Sequence, residues 1–309
     1  MESVYPRLTL GSYSFGDIIL LRSITSLHPG VGRGGEEVDL AVQRDGLGFP
    51  IIYASSIKGA LKTAIWRIDQ KKAKLLLGPE AEEEEKYASP VGVLDAFLLA
   101  MPVRSLVGVY AFLTTPLLLQ RFYDIINFAE AVRARNLEGL KDLIKQMLQD
   151  FKEVKNGAMI SPFSKLRVDA LNGKLVLNEE FWLQPAERDS VTKLEHELKM
   201  EEGRLVVAND DVGLSVINRS LIRVTRVKLD REKKTVEGGG LWTEEHVPLG
   251  TIFYTVFFYS RPYKAIEDTD SAENVGREMR RLIEALGNYL VIGGHESVGR
   301  GIVKLEFRG

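Results

Sequence analysis

Apolar residues crowd into Asp17–Ile24, where Ile18, Ile19, Leu20 and Leu21 follow one another without a polar break. That run predicts a buried strand. From Leu27 to Gly48 neither a helical nor an alternating period survives, and the stretch is rich in glycine with charges throughout. A long surface loop is expected there, and loops of such length are uncommon unless they do something. Order returns at Ile57, Leu61, Ala64, Ile65 and Ile68, whose spacings of four, three, one and three residues mark one face of a helix. Ser55 and Ser56 are its candidate caps. The same winding places Lys58 and Lys62 one turn apart on a neighbouring, more exposed face.

Val91–Ala100 and Gly108–Thr114 have the composition of two further strands, separated by Pro102, Arg104 and Ser105. A helical section is predicted from about Leu117 to Gln149, with Leu140, Leu143, Ile144 and Leu148 on one face of its second helix. The pattern is mixed over Asn156–Glu187. Strands are expected again at Val224–Lys228 and Thr251–Tyr259, separated by charged residues and Gly238-Gly239-Gly240. A helix from about Ala272 to Leu286, a short strand Tyr289–Ile292, a glycine-rich turn and a strand Ile302–Phe307 close the chain. The order of elements near the two ends suggests ferredoxin-like units with the middle as insertions.

Composition narrows the class. With 309 residues, 45% hydrophobic and 27% charged, the chain is globular and long enough for one large core or two medium ones. It has no Cys, which removes disulfides, thiolate metal sites and a cysteine nucleophile, and suits a reducing, cytoplasmic setting. No window approaches about 18 uninterrupted apolar residues, and Met1–Gly11 lacks the layout of a signal peptide, so neither membrane insertion nor export is expected. The formal charge of -2 argues against indiscriminate nucleic-acid binding. Any RNA surface must be local. The run Glu80–Glu85, broken only by Ala81, gathers negative charge in one place and reads most simply as a solvated loop.

Three short motifs carry candidate chemistry. His28-Pro29-Gly30-Val31-Gly32 followed by Glu37-Val38-Asp39 puts a histidine and a carboxylate in one flexible loop, which can press its backbone against a phosphate chain and assist attack by a ribose hydroxyl. A turn histidine and a solvated aspartate are the plain alternatives. The helix start Ala54–Lys62 offers free amide donors and two lysines, a place to grip phosphates, although an ordinary amphipathic helix has the same pattern. Gly293-Gly294-His295-Glu296-Ser297-Val298-Gly299-Arg300-Gly301 packs four glycines around one arginine between two strands. A tight hairpin explains glycines there, and close approach of amides to phosphates explains their number. None of the three is a P-loop or dinucleotide fingerprint.

Together these motifs resemble the RAMP superfamily, in particular the repeated backbone subunit of the type III-B, or Cmr, antiviral CRISPR complex. The resemblance covers the loop His28–Arg44, the helix start Ser55–Lys62, Met101–Thr114 with its Pro-Val-Arg-Ser-Leu core, Gly239–Pro248 with Gly-Leu-Trp, and Gly293–Gly301. It implies an α+β fold: a ferredoxin-like (RRM-like) palm from 1–115 and 250–309, a mainly helical fingers insertion at 116–200, and a projecting β-hairpin thumb with its connecting segment at 201–249. It also implies that Asp39 is the catalytic aspartate, with His28, Glu244 and His246 as supporting candidates. RNA contacts are implied for Ser55, Ser56, Lys58, Lys62, Arg44, Arg104, Gly293, Gly294 and Arg300. The chain departs from the family pattern at Ala41, where a proline is usual, at Lys62, where arginine is common, and at His246, where an aromatic residue often follows the acidic pair.

The function so implied is binding of guide crRNA and endonucleolytic cleavage of complementary target RNA within a complex of other Cmr subunits, with copies of this chain stacked along the guide. Attack by a ribose 2′-hydroxyl is expected, since no ligand cluster of the two-metal type is visible in the sequence. Asp39 would act as base or hold a metal-bound water. The resemblance implies a divalent ion, magnesium, for which the sequence shows no ligand set. Two other readings stay open: a non-catalytic crRNA-binding scaffold, and a crRNA-maturing endoribonuclease that works without metal.

Overall fold

The computed structural model describes residues 11–32, 38–80, 82–84, 86–154, 157–229, 232, 236–264 and 269–308. Gly34, Gly35 and Glu37 of the predicted loop, Ala81 and Glu85 of the acidic run, Asn156 and residues 1–10 lie outside the described residues. The chain opens with β1 (Phe15–Ser23) and the short β2 (Ile51–Ile52), then α1 (Ala54–Trp66) and α2 (Gln70–Leu77). Three strands follow, β3 (Val91–Val93), β4 (Ala96–Ser105) and β5 (Val109–Thr114), and then α3 (Pro116–Ala131) and α4 (Glu138–Lys152). The region of mixed signals resolves into four three-residue strands, β6 (Ala158–Ile160), β7 (Leu175–Leu177), β8 (Phe181–Leu183) and β9 (Pro185–Glu187). Beyond them come α5 (Asp189–Glu197), β10 (Leu205–Ala208), α6 (Asp210–Arg219), β11 (Ile222–Leu229), β12 (Val236–His246), β13 (Ile252–Tyr259), α7 (Ala272–Ala285), β14 (Tyr289–Val291) and β15 (Ile302–Arg308).

One large mixed sheet runs in the order β14-β15-β1-β13-β4-β5-β10-β6-β9. Its centre is antiparallel: Ile19 of β1 faces Thr255 of β13 on one side and Phe307 of β15 on the other. β1 and β13 read as unbroken apolar runs because both sheet faces are covered. Ile19, Leu21, Phe253 and Phe257 pack with Ile57, Leu61 and Ile65 of α1 and with Val275, Met279 and Leu282 of α7. The alternate residues Ile18, Leu20, Tyr254 and Val256 pack with Phe122 and Ile126 of α3, Ile144 of α4 and Leu194 of α5. The period-two alternation of β-strands thus feeds two cores from single strands. Inside this frame Asp17 is buried, accepting from Arg280 (Nη2 to Oδ1, 2.5 Å) and from the Tyr259 hydroxyl (3.0 Å).

Several expectations are corrected. Ser55 and Ser56 do not cap α1: the cap position is Tyr53, and the first amide, Ala54 N–H, donates instead to the Asp95 carboxylate at 2.7 Å. Ile68 falls beyond the end of α1 and is exposed. β4 runs straight through Pro102 and Arg104, and the turn comes only at 106–108. Pro102 lies past Ala100, the last residue of β4 paired with β13, so its missing N–H breaks no ladder on that side. The loop 27–48 does not simply lie on the surface. Leu27, His28, Val38, Val42 and Gln43 are buried, and single bridges tie Leu27 to Val247, Gly30 to Val42 and Leu40 to Glu244. Gly238-Gly239-Gly240, whose composition signals a turn, belong to β12, one arm of the two-stranded β11–β12 hairpin.

Candidate RNA-cleavage site

The loop after β1 and the hairpin arm β12 are stitched together at one place. Leu40 N–H donates to the Thr243 carbonyl at 3.0 Å, and Glu245 N–H donates to the Leu40 carbonyl at 2.9 Å. This brings Asp39 beside Thr243. The Asp39 Oδ2 accepts from both the Thr243 backbone N–H (2.7 Å) and its hydroxyl (3.0 Å), so an exposed carboxylate is held in a fixed orientation. His28, Glu244 and His246 come to the same hairpin base. His28 is buried with Nδ1 2.6 Å from the Glu245 carbonyl, and its ring centroid lies 5.3 Å from that of His246.

Glu244 and Glu245 are both buried, and each is compensated by its own partners. Glu245 meets Arg44 at 2.9 Å and Arg223 at 3.4 Å. Glu244 accepts from Trp242 Nε1 at 2.7 Å, lies 3.2 Å from His246 Nε2, and faces Arg226 at 3.6 Å. Burial alone would raise the Glu244 carboxyl pKa, but the Trp242 hydrogen bond, His295, Arg226 and His246 outweigh it and hold the group below the usual glutamate range. Burial, reinforced by the neighbouring His28, lowers the His246 pKa despite Glu244. The sequence reading missed His295. Its Nε2 is 3.5 Å from Glu244 Oε1 and its ring is 5.1 Å from His28. One signal was available: the chain has only four histidines, and three of them converge here.

The residues expected at RNA divide into two groups. Ser56 of α1 and Gly293 of the glycine-rich turn line one cleft of about 650 Å³, together with Gly59, Thr63, Arg67 and Tyr289. Gly294 follows in the same turn and donates from its backbone to the His28 carbonyl at 3.1 Å. Gly293 has a φ of +88°, and a Cβ there would stand 2.4 Å from the His28 carbonyl oxygen, so internal packing already requires glycine. The cleft and the cluster of His28, Glu244 and His246 therefore share a wall. Ser55 is exposed on the first turn of α1, and Arg300 bonds Ser26 Oγ.

The other expected contacts sit differently. Lys58 and Lys62 are half-buried rather than displayed: Lys58 Nζ donates to the Val91 carbonyl at 3.0 Å, and burial lowers its pKa, with help from Lys62. Lys62 pairs with Glu80 at 2.9 Å, which makes part of the acidic run an intramolecular partner and not merely a solvated loop. Arg44 is turned inward to Glu245 and to Asn218 Oδ1 (3.2 Å). Arg104 is exposed on β4, pairs with Glu179, and lines a separate depression with Asn218, Arg219 and Arg223. Among the described residues no group of three or more His, Cys, Asp or Glu is arranged to cage a metal ion. A single exposed carboxylate such as Asp39 nevertheless suits magnesium, which is commonly held by one or two carboxylates and substrate phosphates together.

A family model described as the RAMP superfamily matches residues 20–304. The chain is 33% identical over 319 residues to the CRISPR system CMR subunit Cmr4 of Saccharolobus solfataricus, covering 96% of this chain and 97% of that one. It is 33% identical over 307 residues to the CRISPR system Cmr endoribonuclease Cmr4 of Pyrococcus furiosus, covering 94% and 95% respectively. Among solved structures, a chain of the type III-B Cmr-beta complex bound to cognate target RNA overlays with a TM-score of 0.79 at 32% identity, covering 96% of this chain and 98% of that chain. Oligomeric Cmr4 from Pyrococcus furiosus overlays with a TM-score of 0.63 at 26% identity, covering 96% and 98%.

Proposed function

The chain belongs to the RAMP superfamily, and on that premise we propose that it is the backbone subunit of a type III-B Cmr ribonucleoprotein that binds crRNA and cuts the target RNA paired to it. The observation that carries this reading is the shared wall. A cleft suited to a guide strand, between α1 and the Gly293–Gly301 turn, abuts His28, and His28 abuts the hairpin base at which Asp39 is held. Partners follow from the relatives: crRNA, target RNA, other Cmr subunits and further copies of this chain. No described helix is long and apolar enough to cross a membrane.

The architecture is read in the same terms. The strand order β15-β1-β13-β4, with α1 after β1 and α7 before β15, is the order a ferredoxin-like palm requires, which supports assigning 1–115 and 250–309 to it. Residues 116–200, with α3, α4 and α5 plus four short strands, form the fingers, and 201–249 carries the β11–β12 thumb.

In the proposed reaction the Asp39 carboxylate takes the proton from a target 2′-hydroxyl. The 2′-oxygen bonds to the adjacent phosphorus, the bond to the 5′-oxygen breaks, and the departing 5′-oxyanion takes a proton from water, whose hydroxide then accepts the proton held by Asp39, giving a 2′,3′-cyclic phosphate and a 5′-hydroxyl. Thr243 orients the carboxylate, and His28 with the Glu244–His246 pair keeps the hairpin base fixed. Holding the attacking and leaving oxygens in line is worth about 7–11 kcal/mol when geometry is fully fixed. Where magnesium is bound, Asp39 is the residue that would hold it, and the ion would supply charge neutralisation at the phosphate. The test is incubation of the assembled complex with labelled complementary RNA, with and without magnesium. Regularly spaced cuts bearing cyclic-phosphate ends are expected with it. An intact target would instead make the chain a scaffold, and cutting of repeat hairpins in chelator would make it a maturing enzyme.

A further inference from the structure

His295 is a non-glycine residue with a φ of +67°, in the left-handed region, inside a turn otherwise rich in glycine. What surrounds it is on three elements. His28 comes from the loop after β1, with its ring 5.1 Å away; His246 comes from β12, with its ring 5.9 Å away; and Glu244, also on β12, is 3.5 Å from Nε2. Arg226 on β11 reaches the other oxygen of Glu244, and Arg300 of the same turn faces His246. Glu296 is adjacent in the chain and lines the cleft.

His28 and His246 are buried, whereas the His295 side chain is one quarter exposed. It is the imidazole of the three that solvent and a bound strand can reach. Its contact with Glu244 is an ion pair only while the ring is protonated. We propose that His295 is a positioning residue for target cleavage: its contact with Glu244 pins the guide-binding turn Gly293–Gly301 to the base of the β11–β12 hairpin, keeping the guide and the paired target in register with Asp39. This rests on the proposed cleavage function for its consequence, but the pinning itself is a property of the chain alone.

Two variants separate side chain from backbone. His295→Asn keeps a residue that tolerates the left-handed conformation and removes the imidazole contact to Glu244. His295→Lys keeps a cation able to reach Glu244. Hydrogen-exchange protection of the turn and of Glu245–Val247 is measured on the free chain at one fixed pH, and single-turnover target cutting on the assembled complex at saturating guide. His295→Asn should show about tenfold lower protection in both segments and about tenfold slower cutting. His295→Lys should keep more of both than His295→Asn. Wild-type protection in His295→Asn overturns the pinning, and lowered protection with wild-type cutting reduces the contact to structure and overturns the positioning role. A wild-type complex that leaves target whole fails the cleavage function instead, and the exchange data then decide the pinning by themselves.

Discussion

Glu244 and Glu245 are neighbours in sequence, yet strand alternation sends them to opposite faces of β12, one to imidazoles and indole, the other to Arg44 and Arg223. Neither carboxylate can lose its partners cheaply, since an unpaired buried charge costs about 3–5 kcal/mol. Asp39 is different: it is exposed, and Thr243 fixes the orientation of its carboxylate. Asp39→Asn keeps the size and most of the hydrogen bonding, and is expected to slow target cutting by at least about 10²-fold with assembly and target binding preserved. Single-turnover cutting alongside a target-binding titration checks it, and retained cutting would redirect attention to Glu244 and His246. The lowered pKa of His246 carries a separate expectation. A group that binds its proton less readily when folded gives stability that is present above its unfolded value and lost as pH falls through the folded one. Glu244, also lowered, acts in the same direction at more acid pH. The melting temperature should therefore drop on acidification below about pH 6.5, and His246→Gln should flatten the upper part of that drop.

At the scale of elements, the glycine-rich turn and the run of α1 are legible because each carries a dense local signal. The apolar spacing of α1 placed Ile57, Leu61 and Ile65 on its buried face. What was not legible is what a neighbour decides. The cap of α1 is Asp95, 41 positions away along the chain, and no local reading finds it. Gly238–Gly240 lie where the β11–β12 register shifts, between the Val227–Leu241 and Leu229–Val236 pairs, so β12 carries an irregularity there that only the partner strand reveals. His295 was hidden for the same reason, since its partners come from the loop after β1 and from β12. Gly293 shows how tightly the elements are joined. Gly293→Ala meets both a left-handed backbone, worth about 1–2 kcal/mol, and the His28 carbonyl at 2.4 Å, an atom that cannot swing away. The variant is expected to lower thermal stability and to weaken guide binding together, because the same backbone lines the cleft. Guide binding lost with stability unchanged would mean that the turn is not packed as described.

On the scale of the whole molecule, the sheet gives up both faces to helices, α1 and α7 on one side and α3, α4 and α5 on the other. On the proposed reading the guide is met at the sheet's margin, where α1 and the Gly293–Gly301 turn form the cleft. The overall charge of -2 reinforces this, since attraction to phosphate comes from a few local groups and not from the field of the whole chain. One chain then grips only a short stretch of guide, and a long guide calls for repeated equivalent copies. A head-to-tail contact between copies need not close on itself, which allows growth along a linear strand. The expected outcome is a particle whose mass rises in steps with guide length, measured by light scattering at fixed protein concentration. Lys58→Ala and Arg300→Ala should each weaken binding alike for all guide sequences and reduce the slope of log affinity against log salt by about one per lost phosphate contact. The structure sets a sharper condition for the lysine. Lys58 now donates to the Val91 carbonyl, so it must exchange that bond for a phosphate. If Lys58→Ala leaves the slope unchanged while Arg300→Ala lowers it, Lys58 is a strut between α1 and β3, and the guide grip narrows to the glycine-rich turn. If neither variant moves the slope and mass stays that of a single chain at every guide length, the cleft between α1 and the turn is not the RNA face.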